Sequence, residues 1–134
     1  MDDSLGRILV IDDDPEVVGL FTDYFSDAGY QVVTAGHGGD GLMLAAFERP
    51  DVVLLDIRMA GLDGLEVLEE LLAQWPALPV VMVSGAGESE LAQQCLTRGA
   101  FDYVSKPFEL EHVHRCVAAA IGGHGRGAAE PGTA

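Results

Sequence analysis

The chain has 134 residues, 49 % of them hydrophobic, and 22 Asp and Glu against 7 Lys and Arg give a net charge of −15. That composition excludes a disordered chain and suits one domain able to bury about 68 % of its unfolded surface. The acidity excludes a nucleic-acid face, which needs clustered Lys and Arg, and favours a basic partner or a cation among carboxylates. No apolar run reaches membrane-spanning length, and Met1-Asp2-Asp3-Ser4 is acidic where a secretory signal is basic. Cys95 and Cys116 lack CxxC spacing and read as small core residues. The expected compartment is the cytoplasm.

Residues 7–12 form the first predicted strand, which runs into Asp12-Asp13-Asp14. Asp14-Pro15 then supplies an N-cap and a first-turn proline. Val17, Leu20, Phe21, Tyr24, Phe25 and Ala28 follow at helical spacing, with Gly29 as the stop. Tyr30 to Thr34 is a short strand, and a glycine-rich turn leads into a helix from about Asp40 to Glu48. Pro50-Asp51 breaks that helix before Val52-Val53-Leu54-Leu55-Asp56, a strand that reads as buried on both faces.

Ile57 to Gly64 is rich in turn formers and is expected to be a loop. A helix to Trp75 carries Leu65, Leu68, Leu72 and Trp75 on one stripe. Val80 to Val83 is a fourth strand, ending on Ser84, and a helix spans roughly Glu88 to Arg98. Phe101 to Ser105 is a fifth strand, ending at Lys106-Pro107, and Glu109 to Ile121 make the last helix. His112 and His114 lie two apart in it, so they share no face and are expected to be solvated or partner-facing. The domain is thus expected over residues 1–121. Residues 122–134, rich in glycine and alanine, read as a disordered tail or the start of a linker to an absent output domain.

Alternating strands and helices predict a doubly wound α/β sandwich. Its ligand crevice lies beyond the carboxyl ends of the strands, where Asp12, Asp13, Asp56, Ser84 and Lys106 are placed. Three adjacent carboxylates repel unless a cation neutralises them, and partial oxygen coordination suits Mg²⁺ sharing its shell with a phosphate. Lys106 is the sole lysine. As a point charge it suits one phosphoryl oxygen, and the Ser84 hydroxyl suits a second. A metal, a lysine and a hydroxyl around a carboxylate nucleophile make a phosphoryl-transfer site.

From about Arg7 to Ile121 the chain resembles a receiver domain of a two-component response regulator. Four pieces carry the resemblance: Ile8 to Asp13; Val53 to Met59 with Asp63-Gly64; Ser84-Gly85; and Gly99 to Phe108. It implies a flavodoxin-like (βα)5 fold with a five-stranded parallel sheet of order 2-1-3-4-5. It implies Asp56 as phosphoacceptor from the phosphohistidine of a sensor histidine kinase or phosphotransfer protein. Asp12, Asp13, Asp56 and the Arg58 carbonyl would hold Mg²⁺. Lys106, before a cis Pro107, would contact the phosphoryl group, and Ser84 and Tyr103 would be the switch pair. By the same resemblance the domain is no enzyme beyond its own phosphorylation and dephosphorylation. It would signal to an unknown downstream protein or output domain, and a homodimer through the last two helices is the analogous assembly.

Two departures stand out: Ala60 follows Met59 where the family usually has proline, and Arg58 and Ala86 occupy positions that tune phosphoryl lifetime. One rival is a phosphatase resembling the haloacid dehalogenase group, prompted by Asp12-x-Asp14. Pro15 follows Asp14 at once, there is no cap insertion, and Asp56 would then lack a role. The other rival, a receiver-like binding module that is never phosphorylated, is disfavoured because every required side chain is present.

Overall fold

The structure is a computed structural model that describes residues 4–59, 62–85 and 87–122. The elements in order are β1 (Arg7–Ile11), α1 (Pro15–Asp27), β2 (Gln31–Ala35), α2 (Gly38–Glu48), β3 (Val52–Asp56) and α3 (Gly64–Gln74). Then follow β4 (Val80–Ser84), α4 (Ser89–Thr97), β5 (Asp102–Ser105) and α5 (Leu110–Gly122). The five strands form one parallel sheet of order β2-β1-β3-β4-β5, so β1, β3, β4 and β5 lie side by side as the clustering of polar strand ends implies. Ala60, Ala86 and residues 123–134 of the expected tail lie outside the described residues.

Strand pleating explains the two cores. Leu9, Ile11, Val53, Leu55 and Met82 point to one face, against Ala45 of α2, Leu68 and Leu71 of α3 and Cys95 of α4. Ile8, Val10, Leu54, Val81 and Val83 point to the other, against Phe21 and Phe25 of α1 and Val113 and Val117 of α5. A strand covered on both faces has no polar face, which is why β3 and β4 are buried along their whole length. Both cysteines are free and buried, as the sequence suggests.

Local signals position β1 and α1 as expected. The Asp14 carboxylate caps α1 by accepting from the Glu16 N–H at 3.0 Å, and Pro15 opens the helix. Gly29, at φ +107°, reverses the chain into β2.

Three expectations are corrected. The stretch expected to be a loop contains a two-residue antiparallel pairing, Arg58–Met59 with Leu62–Asp63, whose backbone groups bond each other instead of water. Helix α2 starts at Gly38, two residues before Asp40, and α3 ends at Gln74, with Trp75 as its C-cap. His114 is not a solvated histidine. It packs edge-on against Tyr24, Phe25 and Tyr30, its Nδ1 3.1 Å from the Tyr24 hydroxyl. Its partners lie more than 80 residues away, so helical periodicity alone carries no sign of them. His112 is exposed as expected.

Candidate functional site

Parallel strands bring their carboxyl ends to one edge, and the polar strand-end residues meet there. Asp12 follows β1, held by its N–H on the Ala35 carbonyl at 3.0 Å. Asp56 closes β3 opposite Val83, and the Ile57 N–H donates to the Val83 carbonyl at 3.0 Å. Ser84 closes β4 opposite Ser105, and the Lys106 N–H donates to the Ser84 carbonyl at 2.7 Å. The Lys106–Pro107 peptide is cis, as the resemblance implies.

Asp12, Asp13 and Asp56 each present a carboxylate oxygen, all within 4.8 Å of one another. Asp12 is 2 % and Asp56 7 % exposed, whereas Asp13 faces solvent. One Asp12 oxygen accepts from the Asp14 N–H at 2.9 Å. Its other oxygen, Oδ2, is buried without a hydrogen-bond partner, the one such side-chain atom among the described residues. An orphaned anionic oxygen is costly. Asp12 also belongs to a set of three carboxylates, the donor set of a hard, oxygen-preferring cation, so these residues fit a divalent ion such as Mg²⁺.

The electrostatics agree. Burial, followed by the charge of Asp12, pushes the Asp56 carboxyl from an ordinary 3.8 up to about 7. The Arg58 N–H, 3.3 Å from Asp56 Oδ1, and the Lys106 charge pull the other way without prevailing. Burial likewise raises Asp12. Without a cation, the pair cannot hold two full charges comfortably at neutral pH.

The two switch candidates have partners outside this cluster. The buried Ser84 hydroxyl donates to the Val104 carbonyl at 3.3 Å and lies 3.4 Å from the Ser105 hydroxyl. It is thus engaged along β5. Tyr103 pairs with Met82 and rests half-buried on the α2–α4 core. It also borders a groove of about 570 Å³ with Phe108, His112 and Arg115. Asp63 caps α3 by accepting from the Leu65 N–H at 3.0 Å, in keeping with its reading as a turn residue.

Two features escape sequence reasoning. A Cβ on Gly64 would sit 2.5 Å from the Ile57 carbonyl oxygen and 2.6 Å from that of Asp56, and the Gly64 N–H donates to the Ile57 carbonyl at 2.7 Å. Gly64 therefore lets the start of α3 press on the backbone that carries Asp56. We predict that Gly64→Ala costs about 1–3 kcal/mol through overpacking, measured as a lower urea midpoint at an unchanged m-value. A wild-type midpoint would show that the loop gives way freely. The second feature is an ion pair from Arg58 Nε to Glu88 Oε2 at 2.9 Å, spanning the loops after β3 and β4. The spacing of Met59, Asp63 and Gly64 hints at the first; nothing local signals the second.

Comparisons with known proteins bear on the family and the fold. The response regulator receiver domain family matches residues 8–118. The chain is 40 % identical over 108 residues to the nitrogen assimilation regulatory protein NtrX of Azorhizobium caulinodans, covering 79 % of this chain and 24 % of that protein. It is 36 % identical over 121 residues to the protein PilH of Pseudomonas aeruginosa, covering 89 % of this chain and 100 % of PilH. The crystal structure of the NtrX receiver domain from Brucella abortus superposes with a TM-score of 0.83 at 38 % identity, covering 86 % of this chain and 98 % of that one. The chain spans only about a quarter of relatives such as NtrX and the Escherichia coli regulatory protein AtoC. A flavodoxin-like sheet, an acidic cluster at its carboxyl edge and a family match over most of the length lead to one conclusion: the chain belongs to the response regulator receiver domain family.

Proposed function

We propose that this receiver takes a phosphoryl group onto Asp56 from the phosphohistidine of a sensor histidine kinase or phosphotransfer protein. The observation that carries the proposal is the meeting of Asp12, Asp13 and Asp56 within 4.8 Å, beside the strand ends that bear Ser84 and Lys106. An Asp56 oxygen attacks phosphorus, the P–N bond breaks, and the departing imidazole nitrogen takes up a proton. The residues that would hold Mg²⁺ are Asp12, Asp13, Asp56 and the Arg58 carbonyl. When bound, Mg²⁺ neutralises charge on the phosphoryl oxygens. Lys106 supplies a second positive charge to those oxygens, and the Ser84 hydroxyl leaves Val104 to donate to one of them. Tyr103 then repacks inward, shifting the population of the α4–β5–α5 face that a downstream protein or output domain reads.

Asp14 is spent as the α1 cap, which supports Asp56 over a nucleophile in the Asp12-x-Asp14 segment. The domain catalyses only its own phosphorylation and dephosphorylation. It runs to the end of α5 at Gly122, one residue beyond the expected boundary at 121, and the residues after it serve as a tail or linker. It works in the cytoplasm, without direct nucleic-acid contact, and pairs with a second copy through its last helices. Among the described residues no helix is long and apolar enough to cross a membrane.

The test is phosphotransfer from a radiolabelled histidine phosphotransfer domain in Mg²⁺. Label should pass to wild type and not to Asp56→Asn, and EDTA should stop it. Equal labelling of both proteins would refute the assignment of Asp56.

A further inference from the structure

We propose that Glu88 is a built-in competitor of the phosphoryl group, occupying two donors beside Asp56 that the group needs. The inference rests on the phosphoacceptor reading of Asp56. In the β3–β4 register Asp56 lies opposite Val83, so Arg58 and Gly85, each two residues further on, come level just past the strand ends. Glu88 joins them. Its Oε1 accepts from the Gly85 N–H at 2.6 Å and its Oε2 pairs with Arg58 Nε at 2.9 Å.

This carboxylate is no ordinary surface charge. Its side chain is 15 % exposed, whereas that of Arg58 is 71 % exposed. Glu88 sits at the N-cap of α4, yet its side chain makes no cap bond and reaches back to Gly85 instead. The Glu88 N–H also bonds the Gly85 carbonyl at 3.3 Å, which closes the turn. The start of α4 is thereby tied to the segment that follows Asp56.

A phosphoryl group on Asp56 carries nearly two negative charges and three acceptor oxygens. It competes with Glu88 for the Gly85 N–H, and its charge draws the Arg58 guanidinium, a side chain suited to phosphate. Arg58 therefore exchanges partners, from Glu88 to the phosphoryl oxygens. Released, Glu88 no longer holds the N-terminus of α4 in its present place. The exchange couples the chemistry to the α4 face through residues other than the Ser84 and Tyr103 pair.

The experiment follows phosphorylation by acetyl phosphate with Mg²⁺ in the whole chain, by intact mass against time. Glu88→Gln keeps the shape and removes the charge. It should raise the phosphorylation rate about two- to fivefold, the range set by part-exposed ion pairs. In an Arg58→Ala background the same substitution should give a clearly smaller gain, since the shared partner is gone. An unchanged rate, or the same factor in both backgrounds, would overturn the proposal. Hydrogen exchange at the Gly85 amide in the unphosphorylated protein gives a readout independent of Asp56, and Glu88→Ala should speed it severalfold. Wild type that takes up no phosphoryl group would fail the Asp56 reading, whereas uptake with either the rate or the Gly85 exchange unmoved would fail this inference alone.

Discussion

Asp56→Asn makes the metal-free protein more stable than wild type at pH 8, by up to about 4 kcal/mol if the full shift from 3.8 to about 7 is realised. The sign follows from the proton. With its native pKa raised, Asp56 keeps its proton in the folded protein at pH values where the unfolded chain has lost it. Its contribution to stability is fully present below about pH 4 and is lost as pH climbs through about 7. The gain from Asp56→Asn should therefore grow from pH 4 to pH 8. The substituted amide can also donate toward the orphaned Asp12 Oδ2. Mg²⁺ narrows the gap, because a bound cation favours the ionised cluster. At a hundred times its dissociation constant it stabilises wild type by about 2.7 kcal/mol, and Asp56→Asn by much less. Urea unfolding at pH 5 and pH 8, with and without Mg²⁺, checks all four values. A wild type whose stability rises through that pH range relative to Asp56→Asn, without metal, would contradict the assigned burial of charge.

Lys106→Ala is expected to slow phosphorylation of Asp56 on the order of 10²-fold, the usual consequence of deleting one donor aimed at transition-state charge. The lysine also lowers the affinity of both Asp56 and Asp12 for protons, so its loss leaves the cluster more negative in balance. Mg²⁺ binding should then be retained or strengthened while the transfer rate falls. That split separates a role in the chemistry from a role in folding, since a collapsed site would lose both. Single-turnover kinetics with acetyl phosphate, alongside a Mg²⁺ titration, would show it. Parallel loss of metal binding and rate would mean that Lys106 holds the loop rather than the phosphoryl group.

The sequence makes the strand ends legible because a parallel sheet covered on both faces needs apolar strands. Any polar residue that closes such a strand, as Asp56 and Ser84 do, is therefore conspicuous. Asp14-Pro15 and Gly29 are legible for a related reason, since capping and chain reversal are local demands on particular residue types. The position of β2 at the sheet edge came from the family resemblance, because local pattern carries no strand order. Two of the unread features share one physical trait: their partners are distant in sequence. His114 meets Tyr24 across 90 residues, and Arg58 meets Glu88 past the whole of α3 and β4. Gly64 looks like an ordinary helix start until the carbonyls of Asp56 and Ile57 are placed against it. Periodicity reports which face a residue occupies and says nothing of which neighbour it finds there.

The most direct measurement is intact mass after incubation with acetyl phosphate, on wild type and Asp56→Asn, each with Mg²⁺ and with EDTA. The account predicts one phosphoryl adduct, on wild type with Mg²⁺ only. A folded, Mg²⁺-binding wild type that gains no adduct, or an adduct that survives Asp56→Asn, would contradict it.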